Sequence, residues 1–174
     1  MEPESLALLL AAVSLLVAGL SLGWQIAQWL LSAGRPRASL QHGLWLGSAA
    51  IVGTVPSSGR AIDVAGLRRQ GYDGPQVVGI QVTNHGRAPV TIDKVAVHTR
   101  GGVMTLVPLA ERIGPDLPYR LEPGTNASWY VAADDAVRLA TSAREVLDES
   151  VTGVYMVAQL ATGKAVETPQ TLRV

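Results

Sequence analysis

The side chains able to do chemistry are few and scattered. His42, His85 and His98 are the three histidines, and no two of them share the short helical or ribbon spacing that a zinc site uses. Two acidic pairs, Asp134-Asp135 and Asp148-Glu149, have the composition of paired carboxylates for general acid and base work. They bracket a stretch of helical periodicity, however, and capping accounts for the first pair. There is no cysteine, which removes disulfides, thiolate metal ligands and thiol nucleophiles together. The hydrolase, zincin and phosphate-loop signatures G-x-S-x-G, H-E-x-x-H and G-x-x-x-x-G-K-[ST] do not occur. "NAS" at Asn126 is formally a glycosylation acceptor, relevant only on a eukaryotic secretory route. No catalytic residue, metal site or cofactor is therefore expected. The group with the most recognition chemistry is Arg60, Arg68, Arg69 and Tyr72, an arginine-aromatic loop of the kind that builds a binding surface on a rigid scaffold. The plainer reading of the same loop is a solvated connection.

What must position these residues begins with an apolar segment. From Leu6 to Leu31 runs "LALLLAAVSLLVAGLSLGWQIAQWLL", 26 residues without a charge, whereas a hydrocarbon core of about 30 Å needs about 20 helical residues. An acidic start and a long apolar run argue against a cleaved signal peptide. A membrane anchor is expected over residues 1–37, with its helix at about 5–33 and the bilayer as its partner through residues 6–31. Trp24 and Trp29 suit the headgroup boundary. Gly19, Gly23 and Ala27 recur every four residues, the spacing that lets two helices approach closely, so a homodimer through this face is one reading and a helix that merely contains small residues is the other. Arg35 and Arg37 follow the span while only Glu2 and Glu4 precede it, which places the rest of the chain in the cytoplasm by the positive-inside rule.

Residues 38–174 read as one mainly β domain. Leu40, His42, Leu44 and Leu46 alternate with Gln41, Gly43 and Trp45, and Val78, Ile80 and Val82 alternate in the same way. Ala49 to Val55 has the length of a second strand. Residues 56–75 carry four glycines and two prolines and read as a long loop or an irregular hairpin. In "VTNHGRAPVTI" two apolar runs flank a connection between antiparallel strands, with Asn84 and Gly86 as residues tolerant of positive φ, and the phase change between Ile92 and Val95 predicts a bulge. Gly101-Gly102, Pro123-Gly124 and Thr162-Gly163 read as turns, the last within a terminal hairpin. One short helix interrupts the strands at about 134–147, with Ala136, Leu139, Ala140, Ala143, Val146 and Leu147 on its apolar face and Asp134 or Asp135 as its cap. Trp45, Trp129 and Tyr155 fall in strand patterns as core or half-buried residues. Without the first 34 residues, 14 basic side chains face 12 acidic ones, too even a balance for a nucleic-acid surface.

The patterns V-x-N-x-G-R-x-P-V-x-I at Val82–Ile92 and L-P-x-R-L-E-P-G at Leu117–Gly124, with "LATGK" beyond them, resemble a group of uncharacterised actinobacterial small membrane proteins. The scarcity of lysine, only Lys94 and Lys164, agrees with a high-GC bacterial genome. The resemblance implies an N-terminal transmembrane helix followed by an antiparallel immunoglobulin-like or fibronectin-like β-sandwich, and implies no catalytic residues. The expected function is a single-pass, membrane-anchored β-sandwich acting as a non-catalytic interaction or scaffold module toward an unknown protein partner. The alternative is an accessory subunit whose helix makes the main contact within a larger membrane complex. An enzyme with an unrecognised site is the third.

Overall fold

The computed structural model describes residues 3–109 and 112–174, the side chains of residues 6, 30 and 31 excepted. Glu2, counted above among the charges ahead of the helix, lies outside them. The first element, α1 (Pro3–Leu31), opens on a proline, whose missing N–H costs nothing there, and carries Glu4 in its first turn, where a carboxylate suits the positive end of the dipole. Its 29 residues extend over about 44 Å at 1.5 Å each, enough to cross a hydrocarbon core with a tilt. None of its apolar window is buried in the rest of the protein, and Leu15 is 77% exposed. The helix stops where Ser32 donates its backbone N–H to Gln28 O (2.9 Å) and its hydroxyl to Trp29 O (2.8 Å).

Two antiparallel sheets follow. Sheet A has the order β2-β1-β3-β7, from β1 (Pro36–Trp45), β2 (Ala50–Thr54), β3 (Gln76–Asn84) and β7 (Asn126–Ala132). In sheet B, β4 (Val90–Arg100) pairs with β8 (Gly153–Leu160), which pairs with β9 (Ala165–Glu167). The other edge of β4 carries two short strands, β5 (Thr105–Leu106) and β6 (Tyr119–Leu121). The inward residues of both sheets make one core: Leu40, Val78, Ile80, Val82 and Trp129 from sheet A face Ile92, Val95, Val97, Met156 and Ala158 from sheet B, all at most 1% exposed. Trp129 is fully buried, meets the Tyr119 ring edge-on at 5.8 Å and donates its indole N–H to Pro115 O at 2.9 Å. The bulge lies between Ile92 and Lys94, and the glycines of all three expected turns include one at positive φ: Gly101, Gly124 and Gly163.

Three local readings change. The 56–75 connection contains a short helix, α2 (Val64–Arg69), whose N-cap Asp63 accepts the Gly66 N–H at 2.8 Å. Helix α3 (Ala133–Leu147) starts on Ala132 with no side-chain cap, so Asp134 and Asp135 act in its first turn through the dipole instead. Ala136, Leu139, Ala140 and Ala143 are buried as expected, but Val146 and Leu147 are 73% and 46% exposed, so the apolar face is left uncovered over the last turn.

The largest change concerns the Asn84–Pro89 turn. It does not close a hairpin: β3 belongs to sheet A and β4 to sheet B, so the turn carries the chain from one sheet to the other. Neither Asn84 nor Gly86 has a positive φ. Asn84, fully buried, uses its amide instead. Its Oδ1 accepts from Arg35 N (3.1 Å) and Gly86 N (3.0 Å), and its Nδ2 donates to Ala88 O (2.8 Å) and Leu121 O (3.3 Å). All four hydrogen-bonding positions of the amide are used. His85 N–H donates to Arg35 O (3.0 Å) and Arg87 N–H to Ala33 O (3.3 Å), so the turn grips the segment leaving the helix. A Cβ on Gly86 would lie 2.4 Å from Ala33 O; glycine is there for room, not for conformation.

Candidate functional site

Helix α2 and the turn after it carry most of the predicted arginine-aromatic surface. Arg68 lies 3.9 Å from Asp73 and Arg69 lies 3.6 Å from Asp63, both pairs at the surface, where such pairs contribute at most about 1 kcal/mol. Their neighbouring carboxylates balance their charge locally. Tyr72 is 43% exposed, with its N–H bonded to Leu67 O at 3.2 Å. Arg60 stands apart from these three, lining a cavity of about 230 Å³ with Gly53, Val55, Pro56 and Ile62 beside the end of β2. The group is thus split into an exposed, charge-balanced α2 surface and a separate arginine at the mouth of a small cavity.

On the helix, Gly19 and Gly23 have nothing within 4 Å of where a Cβ would stand, and with Ala27 they line an open strip of the α1 surface flanked by Leu16, Leu20 and Trp24. Near the C-terminal end of α1, Trp24, Gln28 and Ser32 share a groove of about 280 Å³ with Arg87 from the Asn84 turn.

The histidines separate by environment. His42 is 4% exposed on β1, and burial lowers its pKa, partly offset by a hydrogen bond to Gln76; its Nδ1 has no partner. His98 sits opposite Tyr155, ring centroids 5.5 Å apart, and burial lowers its pKa too, with Glu167 opposing. Among the described residues no three His, Cys, Asp or Glu side chains gather as a metal site requires. Asp134 and Asp135 begin α3, while Asp148 and Glu149 follow its end, so the two pairs stand a helix length apart.

One group escapes sequence reasoning. Arg100 closes β4 with its guanidinium 3.7 Å from the centre of the Tyr155 ring, and it lines a small polar cavity with Arg173 and Ser58. These residues come from three remote stretches, so no spacing announces them; the one local signal is that Arg100 stands just before the Gly101-Gly102 turn. No family model, curated protein or solved structure matches the chain.

Proposed function

We propose that the protein is a single-pass membrane protein whose β domain is an immunoglobulin-like sandwich, serving as a non-catalytic interaction module on the cytoplasmic side for a protein partner. The observation that carries this reading is a helix long and apolar enough to cross a membrane, uncovered by the domain yet gripped by it at its exit through Asn84. Apolar surface on that scale is stable only against lipid or another helix. The strand order supports the sandwich type. β1-β3-β7 stand as A-B-E against β4-β8-β9 as C-F-G, with the sheet-to-sheet crossing at the Asn84 turn and a terminal β8–β9 hairpin. The additional pairing of β2 on β1, and of β6 on β4, is this chain's own variation. Arg35 and Arg37, directly behind the helix, support the side.

Fusions after Val174 test both parts of the reading. A fluorescent reporter that lights only in the cytoplasm should be bright and remain in the membrane after alkaline carbonate extraction. A phosphatase reporter active only outside the cytoplasm should be silent. Phosphatase activity with a dark fluorescent fusion reverses the side, and a fusion released by carbonate removes the span.

The open Gly19, Gly23 and Ala27 strip favours the second reading, an accessory subunit held in a larger membrane complex by its helix. Replacing α1 with a leucine-rich span of equal length leaves a tethered module working and disables a subunit.

A further inference from the structure

Beside the polar cavity at Arg100, the turn after β2 meets the last residues of the chain. Gly59 closes that turn at a φ of +73° by donating to Pro56 O (2.9 Å), and its carbonyl accepts from Arg173 N at 3.1 Å. A Cβ there would stand 2.7 Å from Thr171 O, so glycine lets the two segments touch. Leu172 and Val154 exchange both backbone hydrogen bonds at 2.8 Å, which fixes the backbone on either side of Arg173. The space enclosed is about 210 Å³, walled by Ser57, Ser58, Gly59, Arg100, Thr171 and Arg173. Thr152 completes the wall, its hydroxyl donating to Arg100 O at 3.2 Å.

No carboxylate lines this space. The ion pairs among the described residues engage Arg68, Arg69, Arg120 and Arg138, and none engages Arg100 or Arg173. Arg100 is held in place before any ligand arrives. One face of its guanidinium lies on Tyr155, and its Nε donates to Thr171 Oγ1 at 3.2 Å, leaving the Nη edge unused. Having accepted that bond, the Thr171 hydroxyl keeps its own proton to donate. Two guanidiniums that share a small polar space without a counter-charge repel each other, and an anion between them removes the repulsion.

We propose that this cavity is a binding site for a phosphoryl group carried by a water-soluble molecule. Two guanidinium forks and the hydroxyls of Ser57, Ser58 and Thr171 supply more donors than the two oxygens of a carboxylate use, and they suit the three outward oxygens of a phosphate monoester. β4 begins beside the turn that grips the end of α1 and reaches Arg100 after 11 residues, about 33 Å along the strand. That distance favours a water-soluble carrier over a lipid headgroup, a point that rests on the reading of α1 as a membrane span.

The test is calorimetric titration of the full chain in lipid nanodiscs with inorganic phosphate at constant ionic strength, with sodium chloride and sodium acetate as parallel titrants. Saturable binding of phosphate is expected, weakened about tenfold or more by Arg173→Gln and by Arg100→Gln and unchanged by Lys94→Gln. Arg173 is exposed and its side chain makes no hydrogen bond or ion pair, so its variant keeps the fold, which circular dichroism verifies. Heat no different from chloride overturns the site, as does an Arg173→Gln protein that binds like the parent. Acetate binding as tight as phosphate overturns the phosphoryl assignment.

Discussion

At the scale of single residues, the buried polar groups carry the most information, because each must find a partner or cost stability. Asn84 finds four, and its conversion from an expected turn former into a buried clamp shows why type alone misleads: asparagine favours turns both by tolerating positive φ and by offering its amide, and the sequence does not distinguish the two. His42 is the contrasting case, buried with Nδ1 unpartnered and its pKa lowered by desolvation. A histidine that resists protonation when folded but takes a proton near pH 6.5 when unfolded makes the unfolded state bind more protons below that value. Its contribution is whole above about pH 6.5 and lost as pH falls toward the lowered folded value. His98 acts in the same direction. Thermal melts from pH 7.5 to 5.0 should therefore show a falling melting temperature on acidification, with a shallower fall in His42→Gln. Equal slopes in the two proteins would remove His42 as a cause. The meeting of Arg100 with Arg173 was illegible for a different reason: packing brings together residues more than seventy positions apart, and no local pattern encodes that.

At the scale of elements, period-2 alternation revealed β1, β3, β4 and β8, and the phase change after Ile92 located the bulge, because a half-buried strand writes its register into its own residues. Sheet membership is not local, so the turn after Asn84 read as a connection between antiparallel strands without revealing that it crosses from one sheet to the other. The six residues of α2 are too few for helical periodicity to emerge, and its one local signal was Asp63, three residues before the Gly66 N–H it caps. Helix α3 was legible except at its ends. Its C-cap, Asp148, holds a left-handed conformation at φ 54°, which strains any residue with a Cβ, and it places a carboxylate at the negative end of the dipole. Asp148→Gly relieves both, less the greater freedom glycine gives the unfolded chain. The expected gain is about 0.5–1 kcal/mol, or about 2–4 °C in the melting temperature by calorimetry. A melting temperature unchanged or lower would mean that Asp148 makes a compensating contact.

At the scale of the whole molecule, the short passage from Ser32 to Arg35 decides how the two parts move together. A free linker would let the β domain turn independently of the helix, but here Ala33 O, Arg35 N and Arg35 O are all bonded to the Asn84 turn. Rotation of α1 about its axis therefore carries the domain with it. The uninterrupted apolar run announced a helix long enough to cross a membrane; the clamp was hidden because its partners lie some fifty residues apart. If two copies associate through Gly19, Gly23 and Ala27, the clamp sets the domains in one relative orientation instead of leaving them to swing. Gly23→Leu fills the open space above the helix backbone and obstructs close approach, since association in lipid depends on packing and not on hydrophobic burial. Energy transfer between donor and acceptor labels at Val174, measured in vesicles at fixed protein-to-lipid ratio, should fall by several-fold in Gly23→Leu and be restored by Gly23→Ala. Transfer that is equally strong in Gly23→Leu would rule out this face as the seam.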